Sequence, residues 1–211
     1  MAKSIYPVWM IVMFFITMGV LILSCKEDKS DPDPYTATPY KLNVPTNFPE
    51  PEIPSFNPLT VEGIRLGRKL YYDPILSTNG LTCSSCHVQA KSYSTPTFTT
   101  ASGEQKSVPP HVNLAWNPEY NWNGSEPVLD RLCLGDFGPE FFNTNMPKLV
   151  TDLSNHPDYP RLFKEAFNID DVASLTYDEL QLKIVYSISQ FMRTMISSDS
   201  RFDKFIRHEI M

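Results

Sequence analysis

The stretch Thr82-Cys83-Ser84-Ser85-Cys86-His87 constrains this chain more than any other. Two cysteines three residues apart, with a histidine directly behind the second, form the attachment pattern of a c-type haem. On one helical turn, positions i and i+3 share a face, so both thiols can reach the two vinyl groups of one porphyrin. His87 can then turn its imidazole beneath the iron as the proximal ligand. Two other chemistries compete for the same atoms. A zinc site on Cys83 and Cys86 needs two further ligands, and the chain holds no second CxxC and no HxxxH. A thioredoxin-like dithiol needs a βαβ setting, which the flanks lack.

The compartment is read from the first residues. Lys3 precedes an apolar run from Val8 to Leu23, then Ser24-Cys25. A basic start, an apolar centre and a small residue before the cut describe a secretory signal, and the run is short for a transmembrane anchor. Ile22-Leu23-Ser24-Cys25 resembles the lipobox of bacterial lipoproteins. That resemblance implies lipid on Cys25, a membrane anchor, and a place in the periplasm or at the outer membrane and cell surface. Export suits the motif, since haem c is attached outside the bacterial cytoplasm. With Cys25 assigned to lipid and Cys83 and Cys86 to porphyrin, only Cys133 remains, and it reads as a small buried residue. A net charge of −6 argues against a nucleic-acid partner.

Three segments follow: residues 1–24 as signal peptide, 25–58 as a proline-rich linker, and 59–211 as the folded domain. Prolines at 32, 34, 39, 45, 49, 51, 54 and 58 favour extended chain over helix or sheet. Thr60 can cap a helix carrying Val61, Ile64, Leu66, Leu70 and Tyr71 and ending near Asp73-Pro74. Gly63 and Gly67 weaken that helix unless another backbone or the haem comes close. From Leu76 to Asn123 the Ser, Thr, Pro and Gly content predicts loop around the haem-binding turn, organised by a cofactor.

Helices return beyond. Asn145 with Pro147 starts one, and Pro160–Phe167 holds another. Thr176 and Glu179 form a capping box for the last, whose Ile184, Ile188, Phe191, Met192 and Met195 share a face. No strand pattern stands out. The expected fold is all-α, a cytochrome c-like haem domain with long loops.

A second strong ligand would make the iron a low-spin electron carrier, whereas an open position allows chemistry. His111, in a loop, could face the haem, although a lone loop histidine is more often a surface or hydrogen-bonded residue. His156 reads as structural, His208 sits at a terminus, and Met146, which could be a sixth ligand, reads better as part of a helix start. Met192 and Met195 read as core on their helical stripe. Peroxide cleavage needs a group that moves a proton between two oxygens. Glu140, in Asp136-Phe137-Gly138-Pro139-Glu140-Phe141-Phe142, is a candidate whose pKa burial could raise.

Taken together, residues from about Leu59 to Phe205 resemble the N-terminal haem domain of bacterial di-haem cytochrome c peroxidases, a group that includes MauG-like enzymes. The resemblance rests on Leu66-Gly67-Arg68-Lys69-Leu70-Tyr71-Tyr72-Asp73-Pro74 and on the haem motif. It continues through Asn113-Leu114-Ala115-Trp116-Asn117, Asn121-Trp122-Asn123-Gly124 and Phe163-Lys164-Glu165-Ala166-Phe167, and closes on Ser198-Asp199-Ser200-Arg201-Phe202-Asp203. It implies one covalent haem c on Cys83 and Cys86 with His87 proximal, and Trp122 as the tryptophan set between two haems. Glu140 would be the acid–base glutamate, with a small register offset. The implied reaction is reduction of hydrogen peroxide to water, with electrons from a small cytochrome c or a copper protein (cupredoxin).

The sequence departs from the family in several places. Members carry a second CxxCH domain, whereas one CxxCH is found here. Asn123 and Ser125 replace an acidic and a basic residue, and Phe141 replaces a common methionine. No histidine lies between His87 and Lys106, where some members hold a removable distal ligand. Half of the calcium site that relatives form between domains would be missing, which puts calcium in doubt. The alternative function is a mono-haem electron carrier without catalysis; a zinc-bound lipoprotein is a third.

Overall fold

Thr60 begins the first helix with its own side chain, whose hydroxyl accepts from the Gly63 N–H at 3.0 Å. That bond satisfies one of the amides a helix start leaves unpaired. The computed structural model describes residues 37–211, and these form one compact unit. The residues read from sequence as a signal segment, Cys25 and the linker up to residue 36 lie outside the described residues. Six α-helices are present among the described residues: α1 (Val61–Tyr72), α2 (Cys83–Cys86), α3 (Met146–Asn155), α4 (Tyr159–Phe167), α5 (Tyr177–Arg193) and α6 (Arg201–Ile206).

The pairing of α1 with α5 is the spine. Leu66, Leu70 and Tyr71 of α1 are fully buried with Leu180, Ile184, Val185 and Met192 of α5 in one core. Burial of each such side chain contributes about 1.5–3 kcal/mol. The two glycines of α1 allow the approach. A Cβ on Gly67 would overlap the backbone carbonyl of Ser187, and one on Gly63 would overlap the Gln190 side-chain amide. Gln190 uses that space: its Oε1 accepts from Thr60 N–H at 3.0 Å and its Nε2 donates to Asn57 Oδ1 at 2.7 Å. Nearby, Arg193 forms a buried two-pronged ion pair with Asp130 at 2.9 and 2.6 Å.

Helices α3 and α4 close the other side of the core through Leu149, Leu153, Tyr159, Leu162 and Phe163. Asn145 caps α3, accepting from Lys148 N–H, with Pro147 in its first turn. Thr176 and Glu179 form the expected capping box of α5. The fold is mostly helical, as expected for a cytochrome c-like haem domain.

Two features differ from the sequence reading. Thr95–Thr99 (β1) and Gln105–Val108 (β2) pair as an antiparallel ribbon, with Phe98 opposite Lys106 and an irregularity between Thr95 and Phe98. The ribbon escaped notice because its residues are mostly exposed and show no apolar alternation. The second difference concerns the linker. Over residues 37–58 the extended chain, read from sequence as a linker, lies along the domain. Tyr40 N–H donates to Leu59 O and Val61 N–H to Thr38 O, both at 2.9 Å. Phe48 packs edge-on against Trp116, whose indole N–H donates to Pro49 O at 2.7 Å. Proline carbonyls and apolar rings can dock on a surface without forming helix or sheet, so composition alone does not separate a tether from a strap. Among the described residues, no helix is long and apolar enough to cross a membrane.

Candidate haem site

The four residues of α2 are held by their own caps. Thr82 accepts from Ser85 N–H at 3.1 Å, and Ser85 Oγ accepts from Thr82 N–H at 3.0 Å. His87 ends the helix, its N–H donating to Cys83 O at 2.9 Å. This single turn carries Cys83, Cys86 and His87 to the wall of one cavity of about 910 Å³. That volume lies in the upper part of the roughly 300–1,000 Å³ that ligand and cofactor sites span. Phe98 and Val108 of the ribbon, Leu114, Leu132, Phe141 and Phe142 form an apolar part of the lining, and polar side chains such as Lys106, Asn117 and Asp136 share the rest.

The histidine is already in a ligand's form. His87 Nδ1 lies 3.1 Å from Tyr93 O, and a carbonyl only accepts, so Nδ1 carries the proton and Nε2 keeps its lone pair. Burial pushes its pKa down to about 4, so the ring is neutral at ordinary pH. The carbonyl is presented by an unusual turn: Ser92 and Tyr93 both have positive φ, 58° and 55°. Two successive non-glycine residues in that region are strained, a cost typically met where function needs the geometry.

A second imidazole lies against the first. The His87 and His111 rings are stacked, with centroids 3.3 Å apart and planes 16° apart. His111 is buried at 6% exposure, its Nδ1 hydrogen-bonded to the Tyr71 hydroxyl at 3.1 Å. Its backbone N–H donates to the same Tyr93 O that holds His87.

Burial raises both thiols of the motif, with Asp136 adding to the effect; Cys86 is pushed up to about 11. Cys133 is buried, as expected, and its thiol donates to Asp136. Asp136 lines the cavity, and burial pushes its carboxyl up to about 7, against the lowering effect of the Cys133 bond.

Glu140 is placed differently from expectation. It is exposed and outside the cavity wall, with its carboxylate accepting from Ser102 Oγ at 2.9 Å and Ser102 N–H at 3.3 Å. Those bonds hold it below the usual glutamate range, so the expected upward shift by burial is corrected. Its neighbours Phe141 and Phe142 take the cavity-facing positions. Sequence reasoning missed Asp136, four residues upstream. The segment Leu129–Phe137 is 3-10 helix followed by turns, so no α or β period indicated which carboxylate would face inward.

Trp122 stands on the cavity rim, 71% exposed, with its indole N–H donating to Ser107 O at 2.7 Å. His156 caps the end of α3, and Met146 packs at its start against the core. Among the described residues, no group of three or more His, Cys, Asp or Glu side chains is arranged to hold a metal ion. The two thiols, the lone-pair nitrogen and a wall with both apolar and polar side chains suit a haem c, whose ring is apolar and whose propionates are charged.

Similarity to known proteins agrees. The model of the family described as di-haem cytochrome c peroxidase matches residues 61–210. Methylamine utilization protein MauG of Methylorubrum extorquens is 29% identical over 167 residues, covering 76% of this chain and 44% of that protein. Cytochrome c551 peroxidase of Nitrosomonas europaea is 28% identical, covering 76% of this chain and 48% of that protein. A crystal structure of a MauG-like protein associated with microbial copper homeostasis superposes with a TM-score of 0.68 at 28% identity, covering 82% of this chain and 51% of that one. The chain thus spans about half the length of these relatives. With a match running from the start of α1 past the end of α6, the chain belongs to the di-haem cytochrome c peroxidase family.

Proposed function

We propose that this chain binds one haem c through Cys83 and Cys86, with His87 as proximal iron ligand, and serves as a peroxidatic haem domain. The observation that carries this reading is the meeting of both thiols and the neutral His87 Nε2 on one cavity. The reaction is reduction of hydrogen peroxide: one peroxide, two electrons and two protons give two waters. The electrons come from a small cytochrome c or a cupredoxin, and the protein is exported and lipid-anchored through Cys25.

Haem iron, when bound, supplies the redox chemistry on peroxide. The chain's own part is positional and protic. Tyr93 O orients the His87 ring and strengthens it as a donor. The Phe98, Phe141 and Phe142 side chains limit water in the cavity. Asp136, poised near neutral pH, suits a group that takes a proton from one peroxide oxygen and returns it to the other. Glu140 remains the residue singled out by resemblance, and would need its segment to turn inward. Trp122, exposed at the rim, is the proposed point of electron entry.

The outward placement of Glu140 favours a second reading, a mono-haem carrier that transfers electrons without catalysis. The visible spectrum of the mature protein, made in a host that attaches haem c, separates the two. A high-spin haem that binds carbon monoxide when reduced supports the peroxidase. A low-spin haem that refuses carbon monoxide supports the carrier, and a protein without a Soret band overturns both.

A further inference from the structure

We propose that His111 is a positioning residue for the proximal ligand: it lies flat on the His87 ring and, anchored by Tyr71, sets the plane in which that ring meets the iron. The proposal rests on the haem reading above.

Three observations carry it. First, the rings are in contact and nearly parallel, 3.3 Å between centroids and 16° between planes, so His87 cannot rotate unless His111 moves. Second, His111 is itself held at both ends. Its Nδ1 pairs with the Tyr71 hydroxyl at 3.1 Å, and its backbone N–H donates to Tyr93 O at 3.1 Å. Tyr71 is fully buried on α1 and packs edge-on against Tyr72, Tyr93 and Phe191. Third, the loop cannot drift. Asn113, two residues on, has a positive φ of 60° and exchanges bonds with the segment after α5: Nδ2 donates to Ser197 O, and Oδ1 accepts from Ser197 N–H, both at 2.8 Å.

The consequence is a continuous contact from the α1–α5 core through Tyr71 and His111 to the ligand. Groups behind a metal-bound histidine fix its ring orientation and tune the metal, and losing one typically changes affinity or activity 10–100-fold. Here the contact on His87 is a ring face, with hydrogen bonds holding His111 behind it, so ring orientation is the property most directly controlled. Burial and contacts behind the axial ligand are among the protein's means of setting a haem iron's potential.

The experiment compares haem-loaded wild type with His111→Leu, His111→Phe and Tyr71→Phe. Haem content is read by the pyridine haemochrome, and ring orientation by ferric electron paramagnetic resonance and the midpoint potential. All variants should retain covalent haem. His111→Leu should change the resonance anisotropy and shift the ferric–ferrous equilibrium about tenfold, roughly 59 mV for a one-electron couple. His111→Phe keeps a flat ring and should recover much of the wild-type signal, while Tyr71→Phe should give a smaller shift. The two aromatic variants keep a flat ring at each position, so they carry the test if His111→Leu does not fold. Wild-type resonance and potential in His111→Leu, with full haem, would overturn the proposal. So would conversion from six-coordinate to five-coordinate iron in that variant, which would make His111 a ligand. A wild type without haem c overturns the haem reading itself, a result that the variants cannot mimic.

Discussion

At the scale of single residues, the proposed site divides into groups that would attach the haem, ligate its iron and handle protons. Cys83→Ser or Cys86→Ser should leave a protein with a single thioether, and the double variant should carry no covalent haem, checked by haem staining after denaturing electrophoresis. His87→Ala should retain the attachment but abolish peroxide turnover, because the proximal nitrogen is gone. The two carboxylates are distinguished by place. Asp136 lies on the cavity wall with its carboxyl pushed up to about 7 by burial. A base must be ionised, so turnover should rise as pH climbs through about 7, and Asp136→Asn should lose both that rise and about 10²–10⁴-fold in rate. Glu140→Gln should cost much less, since its partner is Ser102 at the surface. Steady-state rates across pH check the pair, and the reverse ranking would restore the role inferred from resemblance.

At the scale of elements, the contact between α1 and α5 bears the fold. Gly67→Ala forces a methyl into the Ser187 carbonyl, and neither backbone can yield easily. A loss of about 1–3 kcal/mol is expected from such overpacking, or roughly 2–4 °C in Tm per kcal/mol for a domain of this size. Gly63→Ala meets only the end of Gln190, which can swing away, but at the expense of the Thr60 and Asn57 bonds. The buried Asp130–Arg193 pair is a second fastening. Burial alone would raise the Asp130 pKa, but the bonds and charge of Arg193 outweigh it and hold the carboxyl below its ordinary 3.8. With the folded value lowered, the pair's contribution is present above about pH 3.8 and is lost as pH falls through that lower value. Asp130→Asn strands the Arg193 charge and should cost about 3–5 kcal/mol at neutral pH, removing this acid limb. Denaturant titrations at pH 7 and below pH 4 read both effects.

At the scale of the whole molecule, a helical core and a loop layer depend on different things. The core is apolar packing within the chain, whereas the segment from His87 to Asn123 contains little regular structure beyond its ribbon and short 3-10 turns. Hydrogen exchange on the double cysteine variant should therefore show lost protection in 87–123 with the amides of α1 and α5 still protected. Equal loss everywhere would mean that the core too depends on the haem.

What could be read from the residues alone was whatever repeats or sits at fixed spacing. The caps at Thr60, Asn145 and Thr176 and the apolar stripes behind them declared the helices, because a helix obeys a local period. The placing of Cys83, Cys86 and His87 together was legible for the same reason, since one helical turn sets their separation. Direction was another matter. That Asp136 faces the cavity while Glu140 faces Ser102, that residues 37–58 lie along the domain, and that His111 rests on His87 were decided by tertiary structure. Each depends on contacts between segments far apart in the chain, where no period links position to facing and the choice falls to packing.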